Sequence, residues 1–231
     1  MELGEFRREG HWPVPLHQNF EVKKNPDPIC PGPGLHHCFV LGEKEAIETQ
    51  FEYVKILPLN GYNEEMEEFT VDFSFRQSTL SNRDDGLVSY AIPDQYNEFV
   101  ISLEGGLISG KQIRERGLLS TKPNVFDRVT IVKSKGELEF YFNRRLIETK
   151  SLSKTVGMNT TGVWVLGQEQ DRLGGGFSID QQFHGHICDF QIWDKAFDES
   201  KVTKLFSDIS SVKKGNIFDN PPSYEWQYKK E

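Results

Sequence analysis

No apolar run in this chain approaches the roughly 20 residues that a helix needs to cross a bilayer. Basic residues are also in deficit, 27 Lys and Arg against 35 Asp and Glu, for a net charge of −8 and a pI near 5.4. That balance argues against a surface for nucleic acid or for anionic lipid. Three cysteines are too few for a disulfide scaffold and leave one odd. The opening residues, MELGEFRREGHW, contain no apolar core of a signal peptide. There is no internal repeat and no low-complexity run. A Ser-His-Asp order, a phosphate loop and an HExxH zinc motif are all missing as well.

What the chain does have is alternation. Phe69, Val71, Phe73 and Phe75 alternate with Thr70, Asp72 and Ser74, the period of a strand buried on one face. Ser81–Gly86 is built from turn formers, and 87–91 and 98–103 read as neighbouring strands. Residues 129–132 and 138–142 flank Lys135-Gly136, a hairpin signal. One segment alone reads as helix: Asp198 caps 199–206, where Val202, Leu205 and Phe206 share a face. Many short strands and one short helix predict an all-β sandwich, and 231 residues suit one such domain. Residues 1–34 hold six of the eleven prolines, so they are expected as an extended arm, with 35–231 as the sandwich.

The organising stretch is 165–194, VLGQEQDRLGGGFSIDQQFHGHICDFQIWD. A short apolar strand breaks into a polar loop and returns as an alternating strand ending at Trp193. Glu169, Asp171, Asp180 and Gln181 offer oxygen donors, and Gly174, Gly175 and Gly176 let the backbone fold back. Hard oxygen donors on a flexible turn suit Ca²⁺, whereas composition alone also describes a solvated hairpin loop.

These residues carry a resemblance. Leu166-Gly-Gln-Glu-Gln-Asp171, the glycines, Phe177, Gln181, Gly185-x-Ile187 and Ile192-Trp193-Asp194 resemble the pentraxin family. So do Phe39-Val40-Leu41, Phe69-Thr70-Val71, Ser89-Tyr90-Ala91, Asn97-Glu98, Gly136…Glu139-Phe140, Asn216-Ile217 and Tyr224-Glu225, so that the likeness covers roughly 38–228. It implies a two-sheet antiparallel jelly roll that is secreted and recognises ligands through Ca²⁺, with a second tight turn at Arg144-Arg145. Since no signal peptide is visible, the chain is expected to be either a mature or excised domain or an intracellular relative.

Carried over position by position, the resemblance implies Ca²⁺ ligands at Asn97, Glu169, the Gln170 carbonyl, Asp171 and Gln181. Two positions depart: Tyr96 stands where the family has Asp, and Ser178 where it has Glu. Asp180 is expected to replace part of the lost charge. Ser102 stands where phosphocholine-binding relatives carry an aromatic residue, so the sequence does not support phosphocholine as the target. The family's disulfide positions fall on Asp72 and Arg128, and an exposed ion pair on the outer sheet face is expected in its place.

His184, His186 and Cys188 alternate on one predicted strand, and His36 and Cys38 sit likewise on the first. In jelly rolls of this type those two strands are neighbours. The residues are therefore expected either to converge as a zinc or disulfide cluster or to remain solvated on an outer face. Glu137 and Glu139 share a face but read as a surface charge pair rather than as the two carboxylates of a glycosidase. Asn159-Thr160-Thr161 is a glycosylation sequon, meaningful only in a secreted chain. The reading is a non-enzymatic recognition domain for a polar or anionic ligand or a protein, with homo-oligomers left open. The alternative is a structural or assembly module that kept the fold and lost Ca²⁺.

Overall fold

The alternation along Phe69–Gln77 is realised as a central strand of an eight-stranded sheet, with Phe69, Val71, Phe73 and Phe75 fully buried. The structure is a computed structural model that describes residues 23–25, 36–42, 52–56, 65–79, 83–104, 107–109, 113–115, 118–152, 158–207, 212, 215, 218–219 and 226–230. One sheet runs β1 (Lys23–Asn25), β2 (His36–Leu41), β15 (Gly185–Trp193), β5 (Phe69–Gln77), β10 (Asp127–Ser134), β11 (Glu137–Phe142) and β12 (Arg145–Ser151), and β16 (Phe218–Asp219) pairs with β15. The other runs β17 (Trp226–Lys230), β3 (Glu52–Ile56), β14 (Val163–Leu166), β6 (Gly86–Ile92), β7 (Gln95–Ser102), β8 (Leu107–Ser109) and β9 (Ile113–Glu115). A two-stranded piece joins β4 (Glu65–Met66) to β13 (Met158–Asn159). These strand pairs are antiparallel, so the expected all-β jelly-roll sandwich is present. Within the stretch expected as an extended arm, β1 extends the first sheet by pairing with β2.

Side chains from both inner faces form the core, including Phe39, Val71, Phe73, Val88, Tyr90, Ile131, Trp164 and Phe190. Each sheet also has something packed on its outer face, and this decides where function can sit. On the first sheet lies α1 (Glu199–Ser207), whose Val202, Leu205 and Phe206 meet Val132, Tyr141 and Trp193. Asp198 caps it as expected, its Oδ1 accepting from Lys201 N at 2.8 Å. On the second sheet lies the loop that follows β14.

The helix changes the expected ion pair. Arg128 donates from Nε to both Asp72 oxygens at 3.1 and 3.2 Å and from Nη2 to Oδ2, while Thr130 Oγ1 donates to Asp72 Oδ1 at 2.6 Å. Both residues do project from the outer face, but α1 covers that face, and their exposures are 0% and 2% rather than those of a surface pair. The Arg128 guanidinium sits 5.3 Å from the centre of the Phe206 ring. The turn after β11 also falls one residue earlier than expected, at Asn143-Arg144, both with positive φ.

Candidate functional site

Gly167, at φ +87, turns the chain out of β14, and the loop it starts is fastened at several points. Its two ends are joined by Phe183 N–H donating to the Gly167 carbonyl at 3.0 Å. Gln170 is the central pin. Its buried side chain donates to the Ser89 and Val163 carbonyls, each at 3.0 Å, and accepts from Gly174 N at 2.8 Å. Phe177 packs on Tyr53 with ring centres 4.2 Å apart. Gly86 makes the close approach possible, because a Cβ there would stand 2.6 Å from Glu169 N.

This fastening brings Asn97 and Gln181, two of the residues expected as ligands, to Glu169. Gln181 Nε2 donates to Glu169 Oε2, and Asn97 hydrogen-bonds the same carboxylate. Burial, followed by the charges of Asp171 and Asp84, raises the Glu169 pKa above the ordinary carboxylate value, and the two amides pull it part of the way back. With their N–H groups committed to Glu169, Asn97 Oδ1 and Gln181 Oε1 are buried acceptors without a donor among the described residues. A buried unpaired acceptor is costly. Turned about, the two amides would offer oxygens beside mutually repelling carboxylates, the kind of donor a hard cation takes. Among the described residues no three His, Cys, Asp or Glu side chains form a metal cluster.

Asp84, exposed in the turn before β6, adds negative charge near Glu169 that the sequence did not disclose, because its stretch reads as an ordinary turn. Gln170 was read only for its carbonyl, and its side chain proves to be the anchor of the loop. Asp180, expected to lend charge to the site, is exposed and paired with Arg83 at 3.5 Å. Ser178 caps the short helical turn Ile179–Gln181, accepting from Asp180 N at 3.3 Å, and Tyr96 is exposed.

A model of the pentaxin (pentraxin) family matches residues 46–229. The chain belongs to the pentraxin family. Rat serum amyloid P-component is 29% identical over 185 residues, covering 78% of this chain and 76% of that one. Human neuronal pentraxin-1 is 30% identical over 212 residues, 87% of this chain and 46% of the longer relative. The fold is also that of the native heptameric SAP-like pentraxin from Limulus polyphemus, with a TM-score of 0.67 at 20% identity over 85% of this chain and 91% of that one.

In this pentraxin the zinc-or-disulfide cluster takes the disulfide form. Cys38 and Cys188 lie opposite each other on β2 and β15 and are bonded, with Cα atoms 4.0 Å apart. They are buried with Phe126 rather than solvated, and their paired sulfurs leave no thiolate for a metal. The histidines are engaged separately: His184 Nδ1 lies 2.8 Å from the Gly42 carbonyl, and the Arg76 guanidinium reaches to 3.3 Å from His186 Nε2. The side chain of His36 lies outside the described residues. Cys30, the odd cysteine, does too. Glu139 accepts from Tyr141 Oη at 2.8 Å at the edge of the helix-covered cluster, a structural role. Ser102 is buried on β7, so no aromatic wall stands at that position.

Proposed function

We propose that this pentraxin is a non-enzymatic recognition domain that holds one Ca²⁺ between Asn97, Glu169, the Gln170 carbonyl, Asp171 and Gln181. The ion presents its open coordination positions to an anionic or polar group of the ligand. The carrying observation is the pair of buried, undonated oxygens, Asn97 Oδ1 and Gln181 Oε1, flanking a carboxylate that Asp171 and Asp84 already repel. A divalent cation relieves both unfavourable terms once the two amides, whose N–H groups now face Glu169, turn their oxygens toward it. Asp84 lends negative charge from the turn before β6 and compensates in part for Tyr96 and Ser178. With few carboxylates in contact, affinity belongs at the weak end, at a Kd of about 10⁻⁴–10⁻³ M. The heptameric Limulus relative supports self-assembly of copies of this chain.

Calorimetric titration with Ca²⁺ and thermal melting in its presence test the reading together. Binding to the folded state alone raises the melting temperature, and Glu169→Gln is expected to remove both the heat and the shift. The capping role of Ser178 favours a second reading, an assembly module without the ion. Absence of heat and shift in the wild type establishes that module instead.

A further inference from the structure

The turn between β13 and β14 carries Asn159-Thr160-Thr161, the only Asn-x-Ser/Thr triplet of the sequence. We propose that Asn159 is an N-glycosylation site, and that the chain carries an oligosaccharide there when it is made in a secretory compartment. The backbone of this turn is held from below. Tyr90 Oη donates to the Asn159 carbonyl and accepts from Gly162 N at 2.8 Å, while Met158 is buried. The side chains face the other way, with Thr161 exposed and Asn159 half-buried.

The asparagine carboxamide is used asymmetrically. Its Oδ1 accepts from Thr161 N at 2.9 Å and from Thr161 Oγ1 at 2.8 Å, and Nδ2 takes no part in either bond. A sugar on Nδ2 leaves the carbonyl intact, so the folded turn accepts the modification without losing a hydrogen bond. The hydroxyl at 161 is thereby already engaged with the carboxamide of the residue to be modified. Asn and Thr are common in plain turns, so the triplet alone would say little. The independent observation is the Cys38–Cys188 disulfide, which belongs to an oxidising compartment, where glycan transfer to Asn also takes place.

The transfer balances without a redox partner. Nδ2 attacks the anomeric carbon of an oligosaccharide carried on a polyprenyl pyrophosphate. A C–N bond forms, the C–O bond to the pyrophosphate breaks, the pyrophosphate leaves with the bonding pair, and Nδ2 gives up one proton.

The test is secretion of the full chain from eukaryotic cells behind an added signal peptide, followed by intact-mass measurement and peptide mapping before and after peptide-N-glycosidase. The expected result is a glycopeptide spanning residue 159 that the enzyme converts to unglycosylated peptide with Asp at 159. Asn159→Gln and Thr161→Val should secrete without glycan, and Thr161→Ser should keep it. The same map reports whether Cys38 and Cys188 are bridged. A secreted wild-type chain with that bridge formed and Asn159 wholly unmodified overturns the proposal, whatever the variants do.

Discussion

Removing the Asp72 carboxylate should be among the most damaging single changes in this domain, although the residue lies far from the cation site. Arg128 is 2% exposed and touches both Asp72 oxygens. Burial opposes its charge, but the charge of Asp72 and its hydrogen bonds, with Asp189 beyond, outweigh that cost and raise its pKa, so the guanidinium stays charged. Asp72→Ala strands this cation beneath α1 and takes an acceptor from Thr130. Breaking a buried pair in this way costs about 3–5 kcal/mol, a large share of the roughly 5–15 kcal/mol that holds a typical domain together. Replacing both partners with apolar residues, as in Asp72→Leu with Arg128→Met, leaves no uncompensated charge and should be near neutral or stabilising by about 1–4 kcal/mol. Urea unfolding of wild type, both single variants and the double variant measures the coupling directly. Single losses below about 1 kcal/mol, or losses that simply add in the double variant, would refute the buried-pair account.

Three further outcomes follow from the same geometry. Replacing Cys38 and Cys188 together with Ala opens a cross-link between residues 150 apart and should cost about 2–5 kcal/mol in guanidinium unfolding; equal stability with and without reductant would speak against the bridge. Gly86→Ala puts a methyl 2.6 Å from Glu169 N, so it should weaken Ca²⁺ binding by displacing the loop, with far-ultraviolet circular dichroism unchanged; unaltered calorimetric affinity would show that the close approach is dispensable. The third concerns pH. Glu169 has its folded pKa raised by burial, Asp171 and Asp84. Between its unfolded and folded values the native state therefore binds the extra proton, and its contribution to apo stability falls as pH rises through that interval. Ca²⁺ selects the ionised form, so affinity should fall as pH drops through the raised pKa, with protons released on binding. Calorimetry in two buffers of different ionisation enthalpy would detect that release, and identical heats below the raised pKa would contradict it.

Strand period and turn chemistry made the sandwich legible because both are local. Phe69–Phe75 could face only one way once its alternation was seen, and Asp198 marks the helix start by its own side chain. Exposure was not legible, since it depends on which element covers an outer face. Asp72 and Arg128 read as surface charges until α1 is laid over them. The same holds at the site. The hexapeptide announced Glu169 and Asp171, but Asp84 comes from a turn about 85 residues earlier whose proximity only the pairing of β6 with β14 creates. Asp180 shows the converse, a carboxylate of the right type in the right loop that is exposed and paired with Arg83. The Cys38–Cys188 contact followed from strand order, whereas the choice between metal and disulfide rested on the register that sets the two directly opposite.

The most direct test of the account is a crystal structure of the protein grown with millimolar Ca²⁺. The account predicts an ion bound by Glu169, Asp171, Asn97 Oδ1, Gln181 Oε1 and the Gln170 carbonyl at about 2.3–2.6 Å, with the Asn97 and Gln181 amides turned so that their oxygens face it. A cradle in which ordered water donates to those two oxygens, with no ion at any Ca²⁺ concentration reached, would contradict it.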